Sequence, residues 1–286
     1  MIHFNNVTII GVGLIGGSLA RVMKTGKLAG TITGAGRSKA TLEEALGLGV
    51  VDRIAENLGE AVEGADLVVL ATPVATFEAI AREIGPRMKE GAIVTDVGSV
   101  KGRFVKALEK LLPKNIRYVP GHPIAGKEKS GVSESTEVLF QGARWILTPT
   151  ERTDPEALAA VETLCRAAGA QVRRMDADLH DRVFAAVSHL PHVAAYAMVC
   201  TVAELNTGSE EYIDFSGGGF RDFTRIAASS PEMWRDICLL NGNNIIEMID
   251  RYQFSLNMMK RAIRTKDSNK LEGLFRSASD VRKGLK

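Results

Sequence analysis

The run Val7-Thr8-Ile9-Ile10-Gly11-Val12-Gly13-Leu14-Ile15-Gly16-Gly17-Ser18 constrains this chain more than any other stretch. An apolar, largely β-branched segment passes at once into glycines spaced Gly-x-Gly-x-x-Gly, and helical periodicity continues from Ser18 to Met23. In a strand–turn–helix unit each glycine has a separate task. Gly11 permits the tight turn, Gly13 lets the backbone approach a pyrophosphate, and Gly16 allows close helix–strand packing. The open N–H groups where the helix starts, around Leu14 and Ile15, are then available to phosphates. Taken alone, the same run also fits a glycine-rich turn with a purely structural role.

The pattern beyond Ser18 favours the first reading. Short apolar runs at Val7–Ile10, Thr31–Ala35, Asp66–Ala71, Ala92–Asp96, Arg117–Pro120, Trp145–Thr148 and Ala170–Met175 read as strands, and helical stretches separate most of them. Continuous runs such as Leu67–Ala71 suit strands buried on both faces. The alternation predicts a Rossmann-type, doubly wound α/β sheet of parallel strands. After Asp178 strand signals give way to long helical segments at Leu179–Leu205, Glu232–Leu240, Asn244–Thr265 and Asn269–Lys283, with Ser230-Pro231-Glu232 as a helix start. The expected division is 1–175 for dinucleotide binding and 176–286 for an all-α domain that binds substrate and dimerises. Its wide apolar faces (Val183, Val187, Val193, Tyr196 and Ala197; Ile245, Met248, Ile249, Tyr252 and Leu256) suggest burial against a second copy, a homodimer.

Composition narrows the partners. Among 286 residues, 36 basic and 34 acidic side chains leave a net charge of +2, too balanced to indicate nucleic acid or a membrane surface. Cys165, Cys200 and Cys238 lie far apart with no paired spacing, which suits small core residues in a reducing compartment and no metal site. The start of the chain runs almost directly into a strand, and no apolar run approaches the ~18–20 residues of a membrane span. A cytoplasmic protein is expected.

An acid at the end of the second strand would bind the adenosine ribose 2′-hydroxyl. Here Gly36 stands in its place, followed by Arg37, Ser38 and Lys39. Loss of the carboxylate removes repulsion of a 2′-phosphate, and Arg37 could pair with one. The cofactor is expected to be NAD or NADP, with a lean toward NADP or dual use; a solvated Arg37 in an NAD enzyme is the plainer alternative. Thr72 and Pro73 should pass the adenosine–ribose side. The segment from Asp96 to Lys101, which includes Ser99, falls at the same carboxyl edge of the sheet.

Three polar segments are candidates for chemistry. His122, in a Gly-rich loop after a strand, is a candidate general base. His189 and His192 flank Pro191, which should kink its helix and free a carbonyl near Val187; the two could be ligands, site groups or packed core residues, though zinc is not expected. Arg221 and Arg225 come after Gly217-Gly218-Gly219, a placement suited to gripping a carboxylate or, equally, to surface charge.

Five separated motifs then agree: GVGLIGGSLA, DVGSVK, GHPIAGKEKSG, SHLPH and GGGFRDFTRIA. In this order and spacing they resemble the prephenate/arogenate (cyclohexadienyl) dehydrogenases, from Val7 to about Trp234. The resemblance implies an oxidative decarboxylation in which hydride leaves the ring carbon bearing the hydroxyl for the nicotinamide, the ring carboxylate departs as CO₂, and the ring becomes aromatic. By the same resemblance His122 is the catalytic base and Ser99 bridges hydroxyl and nicotinamide. His192 and Arg225 bind the substrate, Glu128 and Asp222 organise the site with the Gly218 segment, and Trp234 lies at its edge, from this subunit or its partner. Lys127 departs from the family, where a small polar residue often precedes the acid, and this leaves prephenate against arogenate open. Without further modules in the sequence, a monofunctional enzyme is expected. Two other readings remain: another two-domain NAD(P)-dependent dehydrogenase of the β-hydroxyacid or imine reductase type, and a non-catalytic dinucleotide sensor.

Overall fold

The computed structural model describes residues 2–127, 129–206 and 211–285. In chain order the first half runs β1 (Phe4–Ile10), α1 (Leu14–Thr25), β2 (Ala29–Ala35), α2 (Lys39–Gly47), β3 (Arg53–Ile54), α3 (Leu58–Val62), β4 (Leu67–Leu70), α4 (Phe77–Ile84), β5 (Ile93–Asp96), α5 (Gly102–Leu111) and β6 (Arg117–Val119). These strands form one six-stranded sheet in the order β3-β2-β1-β4-β5-β6, every pair parallel. Side chains alternate across it. Val7, Ile9, Leu67 and Val69 join one core with α1 and α2, while Ile10, Val68 and Leu70 join a second with α3, α4 and α5. The doubly wound sheet expected from the alternation is present.

The sheet is not the whole of the strand structure. Beyond β6 come β7 (Gly121–Pro123), β8 (Arg144–Leu147), α6 (Pro155–Ala167) and β9 (Gln171–Arg174), and β7-β8-β9 form a separate sheet with β7 antiparallel to β8 and β8 parallel to β9. The strands expected at Trp145–Thr148 and Ala170–Met175 therefore exist, but not in the parallel sheet. Pro120 has no N–H with which to continue the ladder, and its carbonyl instead accepts from Thr148 N–H at 3.1 Å. His122, expected in a loop, is the middle residue of β7 and sits opposite Ile146. That correction matters, because a strand holds a side chain more firmly than a loop does.

The second half is helical: α7 (Ala177–Phe184), a π turn (Ala185–His189), α8 (Leu190–Ala203), α9 (Gly218–Thr224), α10 (Pro231–Leu240), α11 (Gly242–Arg264) and α12 (Ser268–Lys283), with short 3₁₀ turns at Tyr212–Phe215 and Arg225–Ala228. The single stretch expected from Leu179 to Leu205 is thus split by a wide turn immediately before Pro191, whose missing N–H removes one i→i−4 bond. Gly217 caps α9, and Gly218 and Gly219 form its first turn. Ser230 caps α10 as expected, its hydroxyl accepting from Met233 N–H.

One expectation is overturned here. The 27-residue span Ala177–Ala203 is, by length and composition, long and apolar enough to cross a membrane; its most apolar window has a mean hydropathy of 1.5, and 22% of that window is buried. Its N-terminal part packs on the first half of the chain: Ala177 and Ala185 join the second core of the sheet, as do Trp234, Ile237 and Ile245 from α10 and α11. Further along, the apolar faces divide. Val193, Tyr196, Met248 and Ile249 rest against that core, whereas Val187, Tyr252 and Leu256 stand exposed.

Candidate active site

At the β1 terminus the chain turns through Gly11 at φ +97°, a left-handed value open chiefly to glycine, and a Cβ there would meet the Ala71 carbonyl carbon at 2.6 Å. That contact joins the ends of neighbouring strands β1 and β4, the switch point at which doubly wound sheets bind ligands. Gly16 is as tightly set, with Ile9 Cγ2 2.9 Å from a Cβ placed on it. Gly13 is the opposite case: a Cβ there would meet nothing within 4 Å. Gly13 also caps α1, whose first turn has no side-chain cap and no acid. The first-turn N–H groups, including those of Leu14 and Ile15, thus have no side-chain cap, and with open space at Gly13 the residues fit a pyrophosphate.

Beside this cradle is a cavity of about 280 Å³ lined by Ala35, Gly36, Arg37, Glu56, Thr72 and Pro73 among others. Arg37 is exposed on its rim. Ser38 is engaged elsewhere: its hydroxyl accepts from Thr41 N–H at 3.2 Å as the cap of α2. Two carboxylates on the same cavity, Glu56 and Glu83, gave no signal in the sequence because neither lies at the end of β2.

The titratable cluster lies at the carboxyl end of β5 and on β7. His122 Nδ1 is 2.8 Å from His180 Nε2, and His180 Nδ1 is 2.8 Å from Asp181 Oδ1. Asp181 belongs to α7, yet its two oxygens also accept from the Lys101 and Gly102 N–H groups, each at 2.8 Å, and so cap α5 from outside. This carboxylate ties the helical half to the sheet. A carboxylate accepts only, so His180 Nδ1 carries its proton, neutral His180 Nε2 accepts, and His122 Nδ1 donates to it. His122 Nε2 is left with a free lone pair. Burial is the main cause holding the His122 imidazole well below the ordinary histidine range, reinforced by His180, Lys101 and His189. The ring also contacts Phe184 edge-on, with centroids 5.0 Å apart. A neutral imidazole with an available acceptor nitrogen is what proton removal from an alcohol requires.

His180 and Asp181 escaped sequence reading because both sit on a short amphipathic helix with no motif around them. The π turn supplies the neighbouring groups. His189 Nδ1 lies 3.1 Å from Asn241 Nδ2, and burial pushes His189 down to about 4. His192 donates from Nδ1 to Ser188 O at 2.9 Å, close to where a freed carbonyl was expected. Its ring stacks on Trp234 with centroids 3.8 Å apart and planes at 23°. Trp234 is 7% exposed and belongs to the same chain as this His192, so no partner subunit is needed to place it.

The remaining expected residues are distributed over both halves of the chain. Ser99 is half-buried in the turn between β5 and α5. Gly218 and Asp222 are on α9, which packs on α8; Arg225 begins the 3₁₀ turn packed on the same helix. Tyr196 of α8 pins the end of that turn by donating to Ser229 O at 2.8 Å. Lys127 points its ammonium to Glu134 O at 3.0 Å. Glu128 lies outside the described residues. From Phe184, which touches His122, to His192 is eight residues, roughly 12 Å of helix.

Comparison with known proteins decides the family. Residues 19–174 match the nucleotide-binding domain of prephenate dehydrogenase, and residues 176–277 match its dimerization domain. The chain belongs to the prephenate dehydrogenase family. A crystal structure of prephenate dehydrogenase from Aquifex aeolicus, in complex with hydroxyphenyl propionate and NAD+, is similar with a TM-score of 0.93 and 39% identity, covering 99% of this chain and 98% of that one. The cyclohexadienyl dehydrogenase of Zymomonas mobilis is 36% identical over 287 residues, covering 100% of this chain and 98% of that protein. The prephenate dehydrogenase of Bacillus subtilis is 35% identical over 282 residues, 98% of this chain and 76% of that protein. The chain is therefore an oxidoreductase of this family with a nucleotide-binding first half.

Proposed function

We propose that this chain is an NAD(P)-dependent prephenate dehydrogenase that also accepts arogenate. The His122–His180–Asp181 hydrogen-bond chain carries the proposal, because it leaves one imidazole nitrogen basic beside a dinucleotide cradle. The bound nicotinamide would supply the hydride acceptor. Among the protein groups, His122 Nε2 takes the proton of the ring hydroxyl as hydride leaves the carbon bearing it, and Ser99 orients that hydroxyl. Loss of the ring carboxylate as CO₂ then gives the aromatic ring, and the proton returns to the phenol oxygen. Arg225 and His192 grip the substrate, with the Gly218–Asp222 turn, Glu128 and Trp234 shaping the pocket. The departing carboxylate must be held without being stabilised more in the ground state than in the transition state, which favours cationic contacts at the side-chain carboxylate.

Gly11, Gly13, Leu14, Ile15 and Gly16 hold the pyrophosphate, and Thr72 and Pro73 flank the adenosine. We infer NADP or dual use from the missing acid at Gly36 and the position of Arg37 on the adenosine-side cavity. Residues 1–175 form the dinucleotide unit and 176–286 the substrate and dimer unit. The exposed apolar side chains Val187, Ile246, Phe254, Ile263 and Phe275 cover a second copy rather than lipid, since a span facing lipid would not spend its first turns packing a His–Asp pair against a sheet. The enzyme then works in the cytoplasm as a homodimer. The test mixes the protein with prephenate and NAD+ or NADP+ and monitors reduced nicotinamide, then repeats the assay with arogenate. Reduction with release of CO₂ and 4-hydroxyphenylpyruvate is expected; no reduction with either acid would sink the proposal.

A further inference from the structure

Lys101 has a side chain only 1% exposed, paired with Asp96, which is fully buried. A buried ion pair contributes little net stability, and apolar replacements often do as well. The pair here reaches further than its own two residues. Lys101 Nζ donates to Gly121 O at 2.6 Å, the carbonyl immediately before His122. Asp96 Oδ2 accepts from Tyr118 Oη at 2.7 Å and, more loosely, from Gly121 N–H at 3.4 Å. Its Oδ1 accepts from Gly98 N–H at 2.8 Å, within the turn that carries Ser99. Both backbone groups of Gly121 are therefore held by one buried pair at the end of β5.

We propose that Lys101 is a positioning residue for His122: anchored on Asp96, it clamps the Gly121 carbonyl and keeps a fixed positive charge behind the imidazole. This rests on His122 being the base. The groups facing that ring are His180 and Phe184 from α7, His189 from the π turn, and Lys101 from the β5–α5 turn, with Asp181 one hydrogen bond further out. Lys101, His180 and His189 oppose a charged His122, while Asp181 acts through His180 to stabilise it. The lysine thereby keeps the base neutral between turnovers, and the aspartate supports the imidazolium that forms during one.

The test uses the full chain with Lys101→Met, and with Asp96→Asn and Lys101→Met combined. The double variant replaces the pair by neutral groups and leaves no lone buried charge. In both, kcat should fall roughly tenfold to a hundredfold as the strand position slackens. In Lys101→Met the acid limb of kcat/KM against pH should move up by roughly one pH unit as the neighbouring positive charge is lost, and in the double variant, which removes both charges of the pair, it should move less. Cofactor affinity, read by fluorescence quenching, should stay unchanged. A folded variant with the wild-type acid limb and kcat overturns the proposal, and so does failure of the double variant to fold, which would assign the pair to stability alone. His122→Asn separates the two levels: if that variant is inactive while Lys101→Met behaves as wild type, only the role of Lys101 falls.

Discussion

His122 Nδ1 stands 2.8 Å from His180 Nε2, and Asp181 at the far end of that chain determines which nitrogen of each ring holds a proton. Asp181→Asn tests this directly. The amide can donate as well as accept, so His180 can turn its tautomer around and compete for the lone pair His122 needs. We expect kcat to fall by roughly 10²-fold or more, with prephenate affinity nearly retained. Because Asp181 also caps α5, a stability loss of about 0.5–2 kcal/mol should accompany it. Steady-state kinetics beside thermal denaturation separates the effects; a stability loss without a loss in kcat would reduce Asp181 to a cap.

His122→Asn removes the base itself. A decrease in kcat of roughly 10²–10⁴-fold is expected, with KM changed far less. Wild-type turnover in this variant would remove His122 from the mechanism.

Acid should destabilise the fold through its histidines. His122, His180, His189 and His192 are all held below the ordinary range, in each case chiefly by burial. Each takes up a proton in the unfolded chain near pH ~6.5 but in the folded chain only at lower pH. The unfolded state therefore binds more protons in that window. Stability is complete above pH ~6.5 and declines as pH falls toward about 4, the value for His189. That residue alone accounts for on the order of 3 kcal/mol. Thermal midpoints measured across this window should fall steadily with acid, and His189→Gln should flatten the trend; a midpoint independent of pH would contradict the burial of these rings as neutral groups.

Much of the fold and part of the site were readable in the residues. The Gly-x-Gly-x-x-Gly turn located the cradle because each glycine answers a local steric demand, and Gly11 and Gly16 meet backbone or strand atoms where a Cβ would stand. The apolar runs at β1 and β4 pointed to the sheet because both faces are covered. His180 and Asp181 were not readable, since a hydrogen bond across 58 residues leaves no periodicity in the chain. Lys101 stood as one charge in a polar turn; only the fold shows that its ammonium is buried. The β7–β9 sheet was misassigned because strand propensity does not say which partner a strand will find.

Cofactor choice should turn on one side chain. Arg37 is exposed beside Gly36 on the adenosine-side cavity, and no acid at the end of β2 opposes a 2′-phosphate. Arg37→Asp should raise KM for NADP+ by roughly tenfold or more while lowering or sparing that for NAD+. Equal effects on the two cofactors would make Arg37 an ordinary surface charge.

Arg225 offers the sharpest contrast between binding and chemistry. It begins a 3₁₀ turn packed on α8, whose far end Tyr196 fixes through Ser229, and its side chain is exposed. A guanidinium placed to grip a side-chain carboxylate holds substrate and transition state alike, so its loss should appear in KM. Arg225→Ala is expected to raise KM for prephenate roughly tenfold or more, with kcat little changed. Arg225→Lys should recover only part of the affinity, because an ammonium lacks the two-pronged donor geometry. Should Arg225→Ala lower kcat at unchanged KM, the residue would instead act on the departing carboxylate, and the grip on the substrate would have to come from His192 and its stack on Trp234.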